Sequence, residues 1–186
     1  MPEPDTIVYM PECATSVICS VTGHRPDKLG REYDYIGPYS DHIRKRFREI
    51  LTDLQPDQCI SGMALGVDTL FCQVAIELDI PVQAAIPFEG QESRWPAASQ
   101  KLYNDLLAHP LVTKYVVCEG GYASAKMQIR NEFMVDAATH LCTVWNGSEG
   151  GTMNCVRYAQ KQHHIEIIRI NPDGWRKPEQ EQQTLF

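Results

Sequence analysis

The sequence predicts an α/β fold in which a parallel sheet of about six strands carries helices on both faces. Two observations predict it. Five or six short apolar runs recur along the chain, and stretches with apolar residues at helical spacing lie between them. The first run, SVICSV, is β-branched and nearly free of charge, as expected of a strand buried on both faces.

That run, 16–21, is the first strand, and a loop rich in Gly, Pro, Tyr and Asp continues to residue 38. Over 40–54, Ile43, Phe47, Ile50, Leu51 and Leu54 repeat at helical spacing, with Ser40 or Asp41 as N-cap. A short strand at 58–61 precedes a helix at 67–78, whose Leu70, Phe71, Val74 and Leu78 share one face. Asp79-Ile80-Pro81 turns the chain into a strand at 82–86, stopped by Pro87. Residues 95–108 read as helical, with Pro96 holding the start at or just after itself. Strands at 114–118, 141–145 and 165–170 alternate with helices at 125–138 and 152–162. This strict β–α alternation is that of a Rossmann-like fold.

A chain of 186 residues suits one domain. We place it at 16–171, after an N-terminal extension at 1–15 and before a polar tail at 172–186. No apolar run approaches the roughly 20 residues needed to cross a bilayer, and the N-terminus lacks the form of a signal peptide, so a cytoplasmic location is expected. Seven cysteines, an odd number without CxxC spacing, read as buried hydrophobes, and no Cys/His cluster suggests a metal. A net charge of −7 argues against nucleic acid as a partner, though a small basic pocket remains compatible with it.

In open α/β sheets the ligand lies beyond the carboxyl ends of the strands, so the strand-to-helix loops are the candidate site. The first carries Thr22, Gly23, His24 and Arg25, where the arginine can fork onto a phosphate and the histidine can donate to a ligand or hold its turn. The second holds Ser61, Gly62, Met63, Ala64, Gly66 and Asp68, a glycine-bearing run into a helix whose N–H groups suit an anion. Asp68 can cap that helix or accept from a ribose hydroxyl. The third, with Pro87, Phe88, Arg94 and Trp95, offers a stacking face and a cation. In the fourth, Lys126 and Arg130 share a face near a helix start, beside Asn131. The fifth, with Asn146, Gly147, Glu149, Gly150, Gly151 and Thr152, allows close backbone approach to a phosphate, yet it is neither a Walker A loop nor GxGxxG.

Together these segments resemble a known superfamily. Ser61 to Asp68 is similar to the Ser-Gly-x-Ala-x-Gly-(Ile/Val)-Asp loop of DNA-processing protein A, and Arg130-Asn131 resembles its Arg-Asn segment. Gly150-Gly151-Thr152 is similar to the phosphate loop of the LOG cytokinin-activating hydrolases. With Thr-Gly-His-Arg-Pro at 22–26, the chain is most similar to the stand-alone YpsA-like branch of the SLOG superfamily, over about 16–170.

The resemblance implies a bacterial or phage protein, a homodimer, and a pocket for ADP-ribose, an NAD derivative or a nucleoside monophosphate, used for sensing or sequestration. The alternatives it implies are a phosphoribohydrolase and a single-strand DNA-binding or protein-interaction module. LOG hydrolases carry a catalytic Glu three residues after the loop Thr, where this chain has Cys155. Glu149 and Arg130 are the remaining catalytic candidates, and the missing carboxylate ranks binding above cleavage.

Overall fold

The computed structural model describes residues 16–176. Six parallel strands form one sheet: β1 (Ile18–Gly23), β2 (Gln58–Ser61), β3 (Val82–Ile86), β4 (Val112–Val116), β5 (His140–Val144) and β6 (Glu166–Ile170). Five α-helices connect them: α1 (Pro38–Leu54), α2 (Val67–Glu77), α3 (Ala97–Leu107), α4 (Ser124–Asp136) and α5 (Gly151–Ala159). The spatial order is β4-β3-β2-β1-β5-β6. The chain thus steps outward from β1 to β4, returns through α4, and lays β5 and β6 on the other side of β1. The direction of winding reverses between β1 and β5, so the loops leaving these two neighbours diverge and open a crevice.

Neighbouring strand residues serve opposite layers. Cys59, Ala84 and Cys142 belong to the main core with α1 and α2, while Ile60 and Ala85 meet Met134 of α4 and Leu141 meets Cys155 of α5. Burial on both faces is why the central strands read as unbroken apolar runs. β4, an edge strand, exposes Thr113, Lys114 and Tyr115, and its pairing with β3 runs from Val82↔Val112 to Ile86↔Val116. It therefore begins two residues before the expected 114, because that polar face hides its start. Of the six described cysteines, all free, five are buried.

The expected N-cap of α1 is corrected. Neither Ser40 nor Asp41 caps it: Gly37 occupies that position and Pro38 begins the helix. The cap comes from upstream, where the Glu32 carboxylate accepts from Tyr39 N (3.1 Å) and Ser40 N (2.7 Å). Residues 172–176 of the polar tail turn back onto α1, where Tyr39 Oη donates to Asp173 Oδ1 (2.9 Å) and Trp175 meets the Tyr39 ring edge-on at 5.3 Å. The extension at 1–15 and the remainder of the tail lie outside the described residues. No described helix is long and apolar enough to cross a membrane.

Since one carboxylate satisfies two first-turn N–H groups, Glu32→Ala should cost about 1–2 kcal/mol in urea denaturation. Glu32→Gln, which retains one acceptor oxygen, should cost less.

Candidate functional site

A cleft of about 250 Å³ opens at the crevice between β1 and β5. Its walls are the β1 loop with Arg25 and Lys28, the β2 loop with Asp68, and the start of α5 with Gly150, Gly151 and Thr152. Arg130 of α4 completes the floor.

The floor rests on a close approach. Arg130, only 6% exposed, lies across the Gly62 backbone and its Nη1 donates to Gly62 O (2.6 Å). A β-carbon at residue 62 would sit 1.6 Å from that nitrogen, so only glycine admits the guanidinium. Arg130 Nε donates to Asn131 Oδ1 (3.0 Å), and Nη1 stands 3.6 Å from Asp68 Oδ2. The same Asp68 oxygen accepts from Ala64 N (3.3 Å). Burial pushes the Asp68 carboxyl above its ordinary range, opposed by the neighbouring guanidinium charge.

The remaining residues of the β2 loop shape the floor from below. Ser61 Oγ donates to Asp68 O (2.8 Å) and accepts from Met63 N (3.1 Å), holding Met63 in a left-handed turn at φ 55°. Gly66, at φ 95°, passes so near the β1 loop that a β-carbon would lie 2.5 Å from His24 O. Ser61, Gly62, Met63 and Gly66 therefore build the site rather than line it.

The two diverging loops are tied together. Ser148 N donates to Asn146 Oδ1 (3.1 Å), and His24 Nε2 lies 2.8 Å from that oxygen while accepting from Asn146 N (3.2 Å). Thr152 Oγ1 donates to Gly23 O (3.0 Å). Lys28 Nζ donates to Ser148 Oγ (2.8 Å) and Glu149 O (3.4 Å). His24 is buried, and that desolvation lowers its pKa from the ordinary 6.5. Lys126 is drawn away from the cleft, donating to Gly121 O (2.7 Å) and Glu119 O.

A second cavity, of about 360 Å³, adjoins the first and shares Arg25, Ala64 and Met127 with it. Phe88, Trp95 and Tyr122 give it an aromatic wall, with exposed Arg94 at its edge. Phe88 meets Tyr122 edge-on at 5.7 Å, and Trp95 meets Tyr103 edge-on at 5.4 Å.

The structure thus brings most of the candidate residues to two adjoining cavities. Thr22, Gly23, His24, Arg25, Ala64, Asp68, Arg130, Asn131, Glu149 and Gly150 to Thr152 face the first, and Phe88, Arg94 and Trp95 the second. Pro87, Asn146 and Gly147 face neither. Sequence reading passed over Lys28, Met127, Ser148, Gln91 and Tyr122. Lys28 had a signal, lying three residues after Arg25 in the same loop. Cys155, where a LOG hydrolase has its glutamate, is 2% exposed, and burial pushes its thiol up to about 11.

Comparison with known proteins agrees with this architecture. The sequence profile of the YspA SLOG family matches residues 19–174. The chain is 32% identical over 149 residues to the uncharacterized SPbeta prophage-derived protein YoqJ of Bacillus subtilis, covering 72% of this chain and 87% of YoqJ. It is 25% identical to a UPF0398 protein of Halalkalibacterium halodurans, covering 83% and 88% of the two chains. Among solved structures it resembles DNA processing protein A of Streptococcus pneumoniae (TM-score 0.61, 17% identity, 84% of this chain and 50% of that one). It also resembles the Helicobacter pylori protein, described for its single-stranded DNA binding mode (TM-score 0.59, 18% identity, 83% and 65%). The chain therefore spans about half of the first and under two thirds of the second. At such identities these two likenesses concern the fold.

Gly62→Ala should displace Arg130 and lower stability by about 2 kcal/mol in urea denaturation. His24 gives a pH signature. Its folded pKa lies below 6.5, so unfolded chains bind the extra proton between the two values, and stability falls as pH drops through 6.5 toward the folded value. His24→Gln should flatten the part of the stability–pH curve that falls as pH drops below 6.5.

Proposed function

The chain belongs to the YspA SLOG family, and from that premise we propose that it binds a nucleotide-derived phosphate ligand as a sensor or sequestering protein. The ligand class is ADP-ribose, an NAD derivative or a nucleoside monophosphate. The observation that carries this reading is the pair of adjoining cavities that share Arg25, one lined by charged side chains and one aromatic-walled. A nucleotide has two matching parts.

The charge-lined cavity suits the phosphate. Gly151, Thr152 and Met153 N–H begin α5 without a protein acceptor among the described residues, and no acidic side chain stands in that first turn. Such N–H groups, with the helix dipole behind them, attract an anion. Arg25 is exposed at the rim, and no described residue forms an ion pair with it. The aromatic cavity suits a base, which can stack or meet ring edges at Phe88, Trp95 and Tyr122.

Binding ranks above cleavage of an N-glycosidic bond. The position three residues past Thr152 holds a buried, protonated thiol, which cannot supply the negative charge that an oxocarbenium-like transition state needs. The only carboxylate the fifth loop brings to the cleft is Glu149, and no described side chain holds it.

A thermal-shift panel of AMP, GMP, NAD, ADP-ribose and cyclic ADP-ribose tests the reading. A ligand at 100 times its Kd should add about 2.7 kcal/mol of stability. Arg25→Ala should leave the unliganded melting temperature unchanged and weaken binding about tenfold or more. Flat melting curves across the panel would contradict the proposal.

A further inference from the structure

The cleft is electrostatically layered, and the layers point to different parts of one ligand. Arg25, Lys28 and helix N–H groups stand at the rim with the exposed carboxylates Asp27 and Glu149. The floor differs in being buried, with one cation set directly against one anion. Arg130 and Asp68 side chains are 8% and 9% exposed, and both line the cleft.

Their hydrogen-bonding capacity is only partly used. Arg130 employs Nε on Asn131 and Nη1 on Gly62, while Nη2 donates to no described residue. Asp68 accepts from Ala64 N on Oδ2 and from its own backbone N–H, while no other described residue donates to Oδ1. No fully buried side-chain nitrogen or oxygen lacks a partner among the described residues, and both residues line the cleft. The floor therefore offers one charged donor and one charged acceptor side by side.

A phosphate fits this floor poorly, since Asp68 would repel it. A neutral hydroxylated group fits well: one oxygen accepts from Arg130 while another hydroxyl donates to Asp68. We propose that the Arg130–Asp68 floor is a ribose subsite that reads a vicinal diol, so that the protein selects ribonucleotides over deoxyribonucleotides. This rests on the nucleotide-binding reading above and narrows it. It also assigns Arg130 to the sugar and leaves the phosphate to Arg25 and the start of α5.

The magnitude follows from what an analogue leaves behind. A deoxy sugar leaves a buried charged atom without its partner, and sites built to bond a hydroxyl reject the analogue strongly, by up to about 10⁴-fold. Here both residues line a cleft open to water, which softens the loss to about 10- to 100-fold.

The test is calorimetric titration of the full chain with AMP and ADP-ribose against 2′-deoxy-AMP, 3′-deoxy-AMP and 2′-deoxy-ADP-ribose. The expected result is at least about tenfold weaker binding of a deoxy form. Asp68→Asn, which keeps volume but loses the charged acceptor, should weaken ribonucleotide binding and shrink the preference to about threefold or less. Should Asp68→Asn fail to fold, the wild-type comparison alone decides. Equal affinity for ribo and deoxy forms overturns the subsite while leaving nucleotide binding intact. Retention of the full preference in folded Asp68→Asn also overturns it. Failure of every ribonucleotide to bind overturns both this assignment and the reading beneath it.

Discussion

A guanidinium laid across a glycine holds the site together. Arg130 starts on α4, which packs on one face of the sheet, and ends against Gly62 and Asp68 in the loop that leads to α2 on the other face. A charge this deeply buried requires its partner, so neither segment can move without stranding the other. The absent β-carbon at Gly62 is what permits the approach. The positions of the β2 loop, the first turn of α2 and the middle of α4 are thereby coupled at one point beneath the cleft.

From that anchored floor the rest of the site follows by topology. Reversal of winding between β1 and β5 separates their loops, and the His24–Asn146, Thr152–Gly23 and Lys28–Ser148 bonds set how far apart they stand. The start of α5 is left facing the gap with its N–H groups free. In a chain of net charge −7, a helix terminus with Arg25 and Lys28 is the positive part of this cleft, set beside the exposed carboxylates Asp27 and Glu149.

The architecture was legible because its causes are local. Double-sided burial produces apolar runs, and helices covering a sheet show their period. The loops were legible as well, since glycines and hydroxyl residues between a strand and a helix have few other uses. What escaped depends on contacts distant in sequence. Glu32 caps α1 from seven and eight residues upstream, a spacing no capping motif describes. Lys28 is an ordinary surface cation until the loop after β5 arrives beside it. Tyr122 joins Phe88 only because β3 and β4 are neighbours, and β4 itself hid its start behind exposed Thr113 to Tyr115. The unused Nη2 of Arg130 and the spare capacity of the Asp68 carboxylate could not be read from residue types at all, since they depend on which bonds the fold makes.

The central claim is that a nucleotide spans the two cavities, phosphate toward α5 and base toward the aromatic wall. It is tested most directly by recording amide and indole NMR signals while ADP-ribose is added to ¹⁵N-labelled protein. The account expects the largest shifts at the Gly150, Gly151 and Thr152 amides together with the Trp95 indole N–H. Shifts confined to one cavity would contradict the spanning pose, and an unchanged spectrum at saturating ADP-ribose, AMP and NAD would contradict the claim itself.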